Sequence, residues 1–450
     1  MNQTIRIEMP QDVKKIIQTL NHAGYEAYAV GGCVRDSILG RQPNDWDITT
    51  SAYPADVKSL FKRTIDTGIQ HGTVTVMLHH TGYEVTTYRV DGKYEDGRHP
   101  VEVTFTPCLS EDLLRRDFTI NAMAYNETDG LVDLFGGLED IARKQIRCVG
   151  NPRERFTEDA LRLLRAIRFS AQLGYEIDAA TEGAIREIAP NLQKISAERI
   201  QTELVKILLS DHPKRLERAY ELGLTKYFIP ELDLAYETGQ NNPHHCYNVG
   251  EHMINSIGYA PKDKVLRLTM LFHDIGKPLC KTTDSEGIDH FYDHPLKSAE
   301  MAKQILRRLK FDNDTIAKVS KLISYHDERI ESGIRPMRRA VARIGEDIFP
   351  ELFEVFEADL SAQSDYLREK KFAKLGENRR DYEELIRLGQ CVSKETLAVD
   401  GKDLIQMGMR PGPEIGKVLK KLLEYVVENP ELNEKNILLS YAKKMVKEIE

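Results

Sequence analysis

The sequence predicts an α+β protein, with a small mixed β-sheet in the first 150 residues followed by an elongated all-α body. Two patterns carry this reading. Residues 73–76, 83–87 and 101–105 alternate with period two and are rich in β-branched side chains, as half-buried strands are. From Glu158 onward helical spacing takes over, as in Ile200, Leu204, Ile207 and Leu208 and again in Ile415, Val418, Leu419 and Leu422. A chain of 450 residues is too long for one core and suggests two to four domains.

The first element is a helix from Pro10 to Leu20, whose Val13, Ile16, Ile17 and Leu20 share one face and which stops near Gly24. Tyr28-Ala29-Val30 then reads as a short buried strand, Gly31-Gly32 as a tight turn, and residues 33–39 as a short helix ended by Gly40. This order of strand, glycine turn and helix sets phosphates against backbone N–H groups. Asp45 and Asp47 follow in a second strand-like run ending at Ile48; two apart on a strand, they point to one face. A same-face carboxylate pair beside a phosphate site suits two Mg²⁺ ions and a nucleoside triphosphate. With 71 acidic residues in the chain, such a pair alone arises often by chance. The glycine turn and the pair in this order, with Arg35 and Asp36 between them, carry far more.

Glu84, in the run 83–87, is either a third ligand or a solvent-facing carboxylate. Residues 91–100 are glycine-rich, charged and closed by a proline, which marks a mobile loop. In residues 114–121 the adjacent Arg115 and Arg116 can clamp a triphosphate, while Asp117 and Asn121 offer an acceptor and a donor to a ribose. Alternatively, the run is a charged helix start with Asp117 paired to an arginine.

Residues 155–162 open the first helix of the body, with Thr157 as N-cap. Glu158, Asp159 and Arg162 can meet on one helix face, which is also the spacing of ordinary surface ion pairs. Chemistry offers a second reading. Cytosine and adenine both present an amino donor beside a ring-nitrogen acceptor, and guanine and uracil the reverse. An acceptor from Asp159 beside a donor from Arg162 accepts C and A and leaves unpaired groups against G and U.

Seven of the thirteen histidines fall between positions 244 and 326. His252, the doublet His273-Asp274, His294, His326 and Asp359 form a mixed imidazole–carboxylate set of the kind that holds divalent transition metals and hydrolyses phosphate esters. Asn241-Asn242-Pro243 opens this segment. Arg335, Arg338, Arg339 and Arg343 form a basic cluster that tracks a phosphate backbone or is simply a solvated helix face.

The run 28–49 resembles the signature of the nucleotidyltransferase superfamily, in the form shared by CCA-adding enzymes and bacterial poly(A) polymerases. Residues 115–122 are similar to that family's ribose-binding motif, and residues 158–162 to the E-D-x-x-R motif, where Asp and Arg act as a protein template and Glu holds the Arg. The six histidine and aspartate positions resemble the pattern of HD-domain phosphohydrolases, and the stretch from Val399 resembles the RNA-binding tail of HD-containing relatives. The resemblance implies a nucleotidyltransferase-type head (1–150), a helical neck (151–240), an HD domain (241–390) and a helical RNA-binding tail (391–450). It implies nucleotide binding by Gly32, Arg35, Arg115, Asp117, Asn121, Glu158, Asp159, Arg162 and Arg165, and catalysis by Asp45 and Asp47 with Mg²⁺. The loop 91–100 corresponds to one associated with the switch from CTP to ATP. The expected activity is untemplated addition of CCA to tRNA from CTP and ATP, with a possible second, phosphohydrolase activity in the HD domain supported by a divalent transition metal. The rivals are an enzyme adding only the terminal A, a poly(A) polymerase, a phosphohydrolase whose head only binds RNA, and a non-catalytic RNA-binding protein.

Composition sets the surroundings. A net charge of −8 excludes a uniformly basic nucleic-acid coat but not a local basic track. The six cysteines are scattered without a C-x-x-C pair, which fits a reducing cytosol and neither a zinc ribbon nor a disulfide framework. No apolar leader and no run of membrane-spanning length is present, so a cytoplasmic protein without a membrane partner is expected.

Overall fold

A computed structural model describes residues 5–92 and 103–449. The chain divides into two compact units, Met1–Pro230 and Glu231–Glu450. In the first unit, helix α1 (Gln11–His22) buries Val13, Ile16, Ile17 and Leu20, the face its spacing predicts. Strand β1 (Ala27–Val30) is wholly buried, and α2 (Gly32–Ile38) follows after a single residue. Next come β2 (Ile48–Thr50), α3 (Pro54–Leu60), β3 (Thr64–Gly68), β4 (Thr73–Leu78) and β5 (Thr81–Thr87). A separate hairpin joins β6 (Arg89–Asp91) to β7 (Val103–Phe105); the loop expected at 91–100 lies, from residue 93 on, outside the described residues. Helix α4 (Leu109–Leu114) leads to β8 (Met123–Asn126) and β9 (Gly130–Asp133).

Seven strands form one mixed sheet in the order β3-β4-β5-β2-β1-β8-β9, in which only the β2–β5 pair is parallel. The strand-like run expected to contain the aspartates is shorter than its pattern implied. The ladder starts at Ile48, which pairs with Ala29 on one side and Val85 on the other. Asp45 and Asp47 precede it, past the end of the ladder, and the Asp47 carbonyl accepts from Val30 N–H and from the Cys33 thiol.

The rest of this unit is helical: α5 (Gly137–Arg143), the short β10 (Gln145–Ile146), α6 (Pro152–Glu158), α7 (Leu161–Leu173), β11 (Glu176–Ile177), α8 (Ala179–Ile188), α9 (Ala197–Leu208) and α10 (Glu217–Glu221). Thr157 caps nothing. It lies inside α6, whose N-cap is Asn151 with Pro152 at the first position, a start signal that the later threonine only mimics.

The second unit comprises α11 (Pro230–Tyr236), α12 (Val249–Ile257), α13 (Lys264–Phe272), α14 (Lys277–Cys280), the hairpin β12 (Lys281–Thr283) and β13 (Asp289–Phe291), α15 (His294–Arg308), α16 (Asn313–Ser324), α17 (Ile334–Ile344), α18 (Phe349–Ser361), α19 (Arg368–Arg387), α20 (Gly401–Gln406), α21 (Pro413–Glu428) and α22 (Lys435–Ile449). The last three helices close a core around Leu404, Val418, Leu422 and Leu438. The basic cluster of α17 fastens this core to the helices before it. Arg335 and Arg339 both pair with Glu428, Arg338 bonds the Val427 carbonyl, and Arg343 pairs with Glu328. Arg338 is buried, while Arg335, Arg339 and Arg343 keep more than half of their side chains in solvent, so the cluster is a solvated helix face laced with ion pairs.

Candidate functional site

The first candidate site lies where β1 turns into α2. Gly31 takes φ +85°, a left-handed value that favours glycine, and its N–H bonds the Met123 carbonyl on β8. A Cβ there would stand 3.1 Å from the Arg116 guanidinium, so glycine also makes room for that arginine. Asp45 and Asp47 reach solvent at the sheet end. Asp47 keeps an exposed side chain, yet crowding by the surrounding protein, then the charges of Asp45 and Glu84, lift its pKa to about 6, against the pull of Arg116. Glu84 thus faces the pair electrostatically. A proton competes with a cation for Asp47, so ion binding should weaken about tenfold per pH unit once the pH falls below about 6. Titrating Mn²⁺ binding between about pH 5 and pH 7.5 reads this directly, and a flat profile refutes it.

The two adjacent arginines play different parts. The buried Asp112 accepts from Arg115 Nε and NH2 at 3.0 and 2.7 Å and from Arg116 NH2 at 3.4 Å, and Thr49 donates to it as well. Burial pushes this carboxyl up, but the two arginines hold it below its usual range. Arg115 is turned toward Asp112, whereas Arg116 extends to Gly31 and keeps a buried, unpartnered Nε. Sequence reasoning missed Asp112; its spacing of three and four from the arginines was the available signal.

Asp117 is paired, though not with its neighbours. Arg165 on α7 grips it at 2.5 Å, and together with Arg162 and Arg168 overrides burial to bring its pKa to about 2. From Asp117 a chain of bonds runs through Asn121 to Arg35, which donates to Asn121 Oδ1 at 2.6 Å and lies over the Phe169 ring. The fold therefore brings Gly32, Arg35, Asp117, Asn121 and Arg165 together.

Glu158, Asp159 and Arg162 meet, but not on one helix face. The backbone breaks between α6 and α7, with Asp159 extended at φ −141°, and its carboxylate caps the Leu161 N–H. Glu158 holds Arg162 at 2.6 Å, and Arg162 also donates to the Arg155 and Arg115 carbonyls. Asp159 accepts instead from Arg199 on α9, at 2.7 and 3.2 Å. No helical spacing within 155–162 could reveal that partner, forty residues on.

A second cluster lies in the unit Glu231–Glu450. His252, His273, Asp274, His294, His326 and Asp359 converge from α12, the end of α13, α15, the end of α16 and α18. Each histidine is fixed by its Nδ1, which donates to the carbonyl of Ala362, Met270, Phe291 or Ile323 respectively. That leaves all four Nε2 lone pairs turned inward, the tautomer a metal ligand needs. His252 and His273 face each other at 3.2 Å between their Nε2 atoms, as do His294 and His326. Asp274 stands between the pairs: Oδ2 lies 3.3 Å from His273 and 3.6 Å from His252, and Oδ1 lies 3.3 Å from both His294 and His326. Asp359 Oδ1 joins the first pair at 2.8 and 3.4 Å. Both Asp274 oxygens are buried. This donor set fits divalent cations, which His252, His273 and Asp274 on one side and Asp274, His294 and His326 on the other would hold. The buried Lys277 (2.6 Å from Asp274) was not singled out from the sequence, although it follows the doublet by three residues.

Residues 27–147 match the family model described as the poly A polymerase head domain. Residues 174–236 match a probable RNA and SrmB-binding site of polymerase A, and residues 285–442 a putative tRNA nucleotidyltransferase domain 2. The CCA-adding enzyme of Limosilactobacillus reuteri is 38% identical over 440 residues, covering 97% of each chain. That of Enterococcus faecalis is 36% identical over 445 residues, again covering 97% of each. Among solved structures, the Bacillus stearothermophilus CCA-adding enzyme in complex with CTP superposes with a TM-score of 0.70 at 30% identity, covering 98% of both chains. The Thermotoga maritima CCA-adding enzyme complexed with tRNA shares the fold, with a TM-score of 0.61 at 20% identity over 99% of this chain and 97% of that one. Among the described residues, no helix is long and apolar enough to cross a membrane.

Proposed function

This chain belongs to the CCA-adding enzymes and adds C, C and A to tRNA 3′ ends from CTP and ATP; we propose that Asp45 and Asp47 carry the transfer, with Mg²⁺ as their ion. The observation that supports this is the placement of both carboxylates past the sheet end, beside the Gly31 turn and within the field of Arg116. When bound, the ions supply charge neutralisation and alignment at the reacting phosphate. The residues do the rest. The turn at Gly31-Gly32 and Arg116 hold the triphosphate, and Asp117, Asn121 and Arg35 hold the ribose through their chain of bonds. The tRNA 3′ oxygen then forms its bond to the α-phosphorus while pyrophosphate leaves. Supplying tRNA that ends before CCA, after C or after CC, with CTP and ATP given separately, tests the assignment; growth of the CC end alone would make the chain an A-adding enzyme.

Asp159 and Arg162 read the base in this proposal, and Arg199 positions Asp159. A hydrogen bond to a charged partner is worth about 1.5–3 kcal/mol, so Arg162→Ala should lower kcat/KM for CTP and ATP by roughly 10- to 100-fold. The same change should relax discrimination against GTP and UTP, because the unpaired groups that reject them are gone. Arg199→Ala should lower both good substrates with a smaller loss of selectivity. Lost rate with selectivity fully kept in Arg162→Ala would make Asp159 and Arg162 structural.

The second cluster supports a further activity, hydrolysis of a phosphomonoester or a 2′,3′-cyclic phosphate. Two transition-metal ions held by the four histidines, Asp274 and Asp359 would activate water and neutralise the phosphate. The turned-in Nε2 atoms and the burial of Asp274 between the two histidine pairs favour this over an inert scaffold. The four-part division into head, neck, HD domain and tail, and a cytoplasmic location beside its tRNA substrate, belong to the same reading.

A further inference from the structure

The metal-ligand cluster has an outer edge that the ligands do not explain. Asp359 is the ligand nearest solvent, with 18% of its side chain exposed. Its Oδ2 accepts from Gln363 at 2.8 Å, and Gln363 accepts in turn from Lys371 on α19 at 2.7 Å. Lys371 is half-buried and makes no ion pair among the described residues. One turn later, about 4.5 Å further along the helix axis, Lys374 donates to the Ser332 hydroxyl, which donates in turn to Glu377, and makes no ion pair among the described residues. Arg329 comes three residues after the ligand His326 and also lacks an ion pair among the described residues. Its segment lies along α19, where Asn378 donates to the Ile330 carbonyl and Asp381 accepts from the Gly333 N–H.

These three cations contrast with their neighbours, since Arg343, Arg368 and Arg379 are each paired with a carboxylate. Between them and the ligands stand His244 and His245. The His244 ring packs edge-on to Tyr366 at 5.0 Å and the His245 ring edge-on to His252 at 5.5 Å, and each keeps a buried Nδ1 without a partner. Burial, then the charges of Lys371 and Arg329, push the His244 pKa down, so both cations act on this one mouth. Positive charge with no direct carboxylate partner among the described residues, beside buried unpartnered nitrogens at the edge of this cluster, calls for an anion that extends beyond a single phosphate.

We propose that Arg329, Lys371 and Lys374 bind the backbone phosphates of a single-stranded nucleic-acid end whose terminal phosphate enters the histidine–aspartate cluster. The substrate of the second site is then a polynucleotide end, and a free mononucleotide fits it poorly. This rests on the hydrolytic reading of the cluster above.

The test is the affinity of the full-length, metal-loaded protein for a labelled tetraribonucleotide ending in a 3′-phosphate, followed by fluorescence anisotropy across a salt series. Arg329→Ala with Lys371→Met should weaken binding by roughly tenfold or more, and should reduce the slope of log affinity against log salt by about 0.7 per lost contact. Lys370→Met removes the same charge from the adjoining exposed position on α19 and serves as the control. A loss confined to the Arg329 and Lys371 changes supports the stripe. An unchanged affinity, or an equal loss in Lys370→Met, overturns it. Preference for the 3′-phosphate over a 3′-hydroxyl, measured with and without chelator, reports on the metal cluster separately. If that preference is absent while the slope still falls, the hydrolytic reading fails and the basic stripe stands.

Discussion

Asp45→Asn and Asp47→Asn should each abolish nucleotide addition while tRNA still binds. The carboxylates project from the end of the sheet, where only Asp47's carbonyl is committed to the ladder, so asparagine fits without disturbing β1 or β2. What is lost is charge. In the wild type, Asp45 and Glu84 raise the energy of the Asp47 anion, a cost that a bound cation turns into affinity. Neutralising either aspartate removes the ligand and much of that drive, and stabilisation by such ions is worth several kcal/mol. The rate should fall by at least about 10³-fold at ordinary Mg²⁺, with binding of tRNA changed less than about threefold. Single-turnover addition and a filter-binding titration on the same preparations decide it. Substantial addition by either variant would remove the pair from the chemistry.

His273→Ala combined with Asp274→Asn should release both metals of the second cluster and end hydrolysis there. Asp274 offers one oxygen to each histidine pair, so its loss affects both positions together. An ion bound only by the folded state stabilises it by about 2.7 kcal/mol at a hundredfold excess over its dissociation constant. Chelator should therefore lower the melting temperature of the wild type and leave that of the variant unmoved. Nucleotide addition should persist, because these residues lie in the unit Glu231–Glu450 and none is placed at the transfer site. Metal analysis is the sharpest readout. A wild type that carries no Mn, Fe, Co, Ni or Zn and hydrolyses nothing when given them would reduce the cluster to a scaffold.

Much of the site was legible in the sequence because it is local. Gly31 and Gly32 come directly after a buried strand, where turn chemistry finds them. Asp45 and Asp47, by contrast, precede a strand that starts at Ile48, and they stand out from the chain's other acidic pairs by their place after the glycine turn and their resemblance to the family signature. The six histidine and aspartate ligands could be named from side-chain type and their crowding along the chain. The standing of Asp274 between the two histidine pairs could not, because it depends on how α12, α13, α15, α16 and α18 pack.

Where local pattern misled, a competing local signal or a distant partner had won. Thr157 had the chemistry of an N-cap, but Asn151-Pro152 starts that helix six residues earlier. Arg115 and Arg116 are indistinguishable as neighbours in the sequence. The buried Asp112 turns Arg115 toward itself, while Arg116 reaches the glycine turn. The sequence by itself determined the fold class, which follows from periodicity, and named the carboxylate pair and the six histidine and aspartate positions as candidates, from what each side chain can do and from their resemblance to known motifs. Only the tertiary structure decided the pairings of Asp117 with Arg165, of Asp159 with Arg199 and of Asp359 through Gln363 with Lys371. The first two join residues some forty to fifty apart, and the third links two helices around a loop. Such contacts are set by which helix faces bury against each other, and a periodic pattern states only that a face is buried, not what it meets.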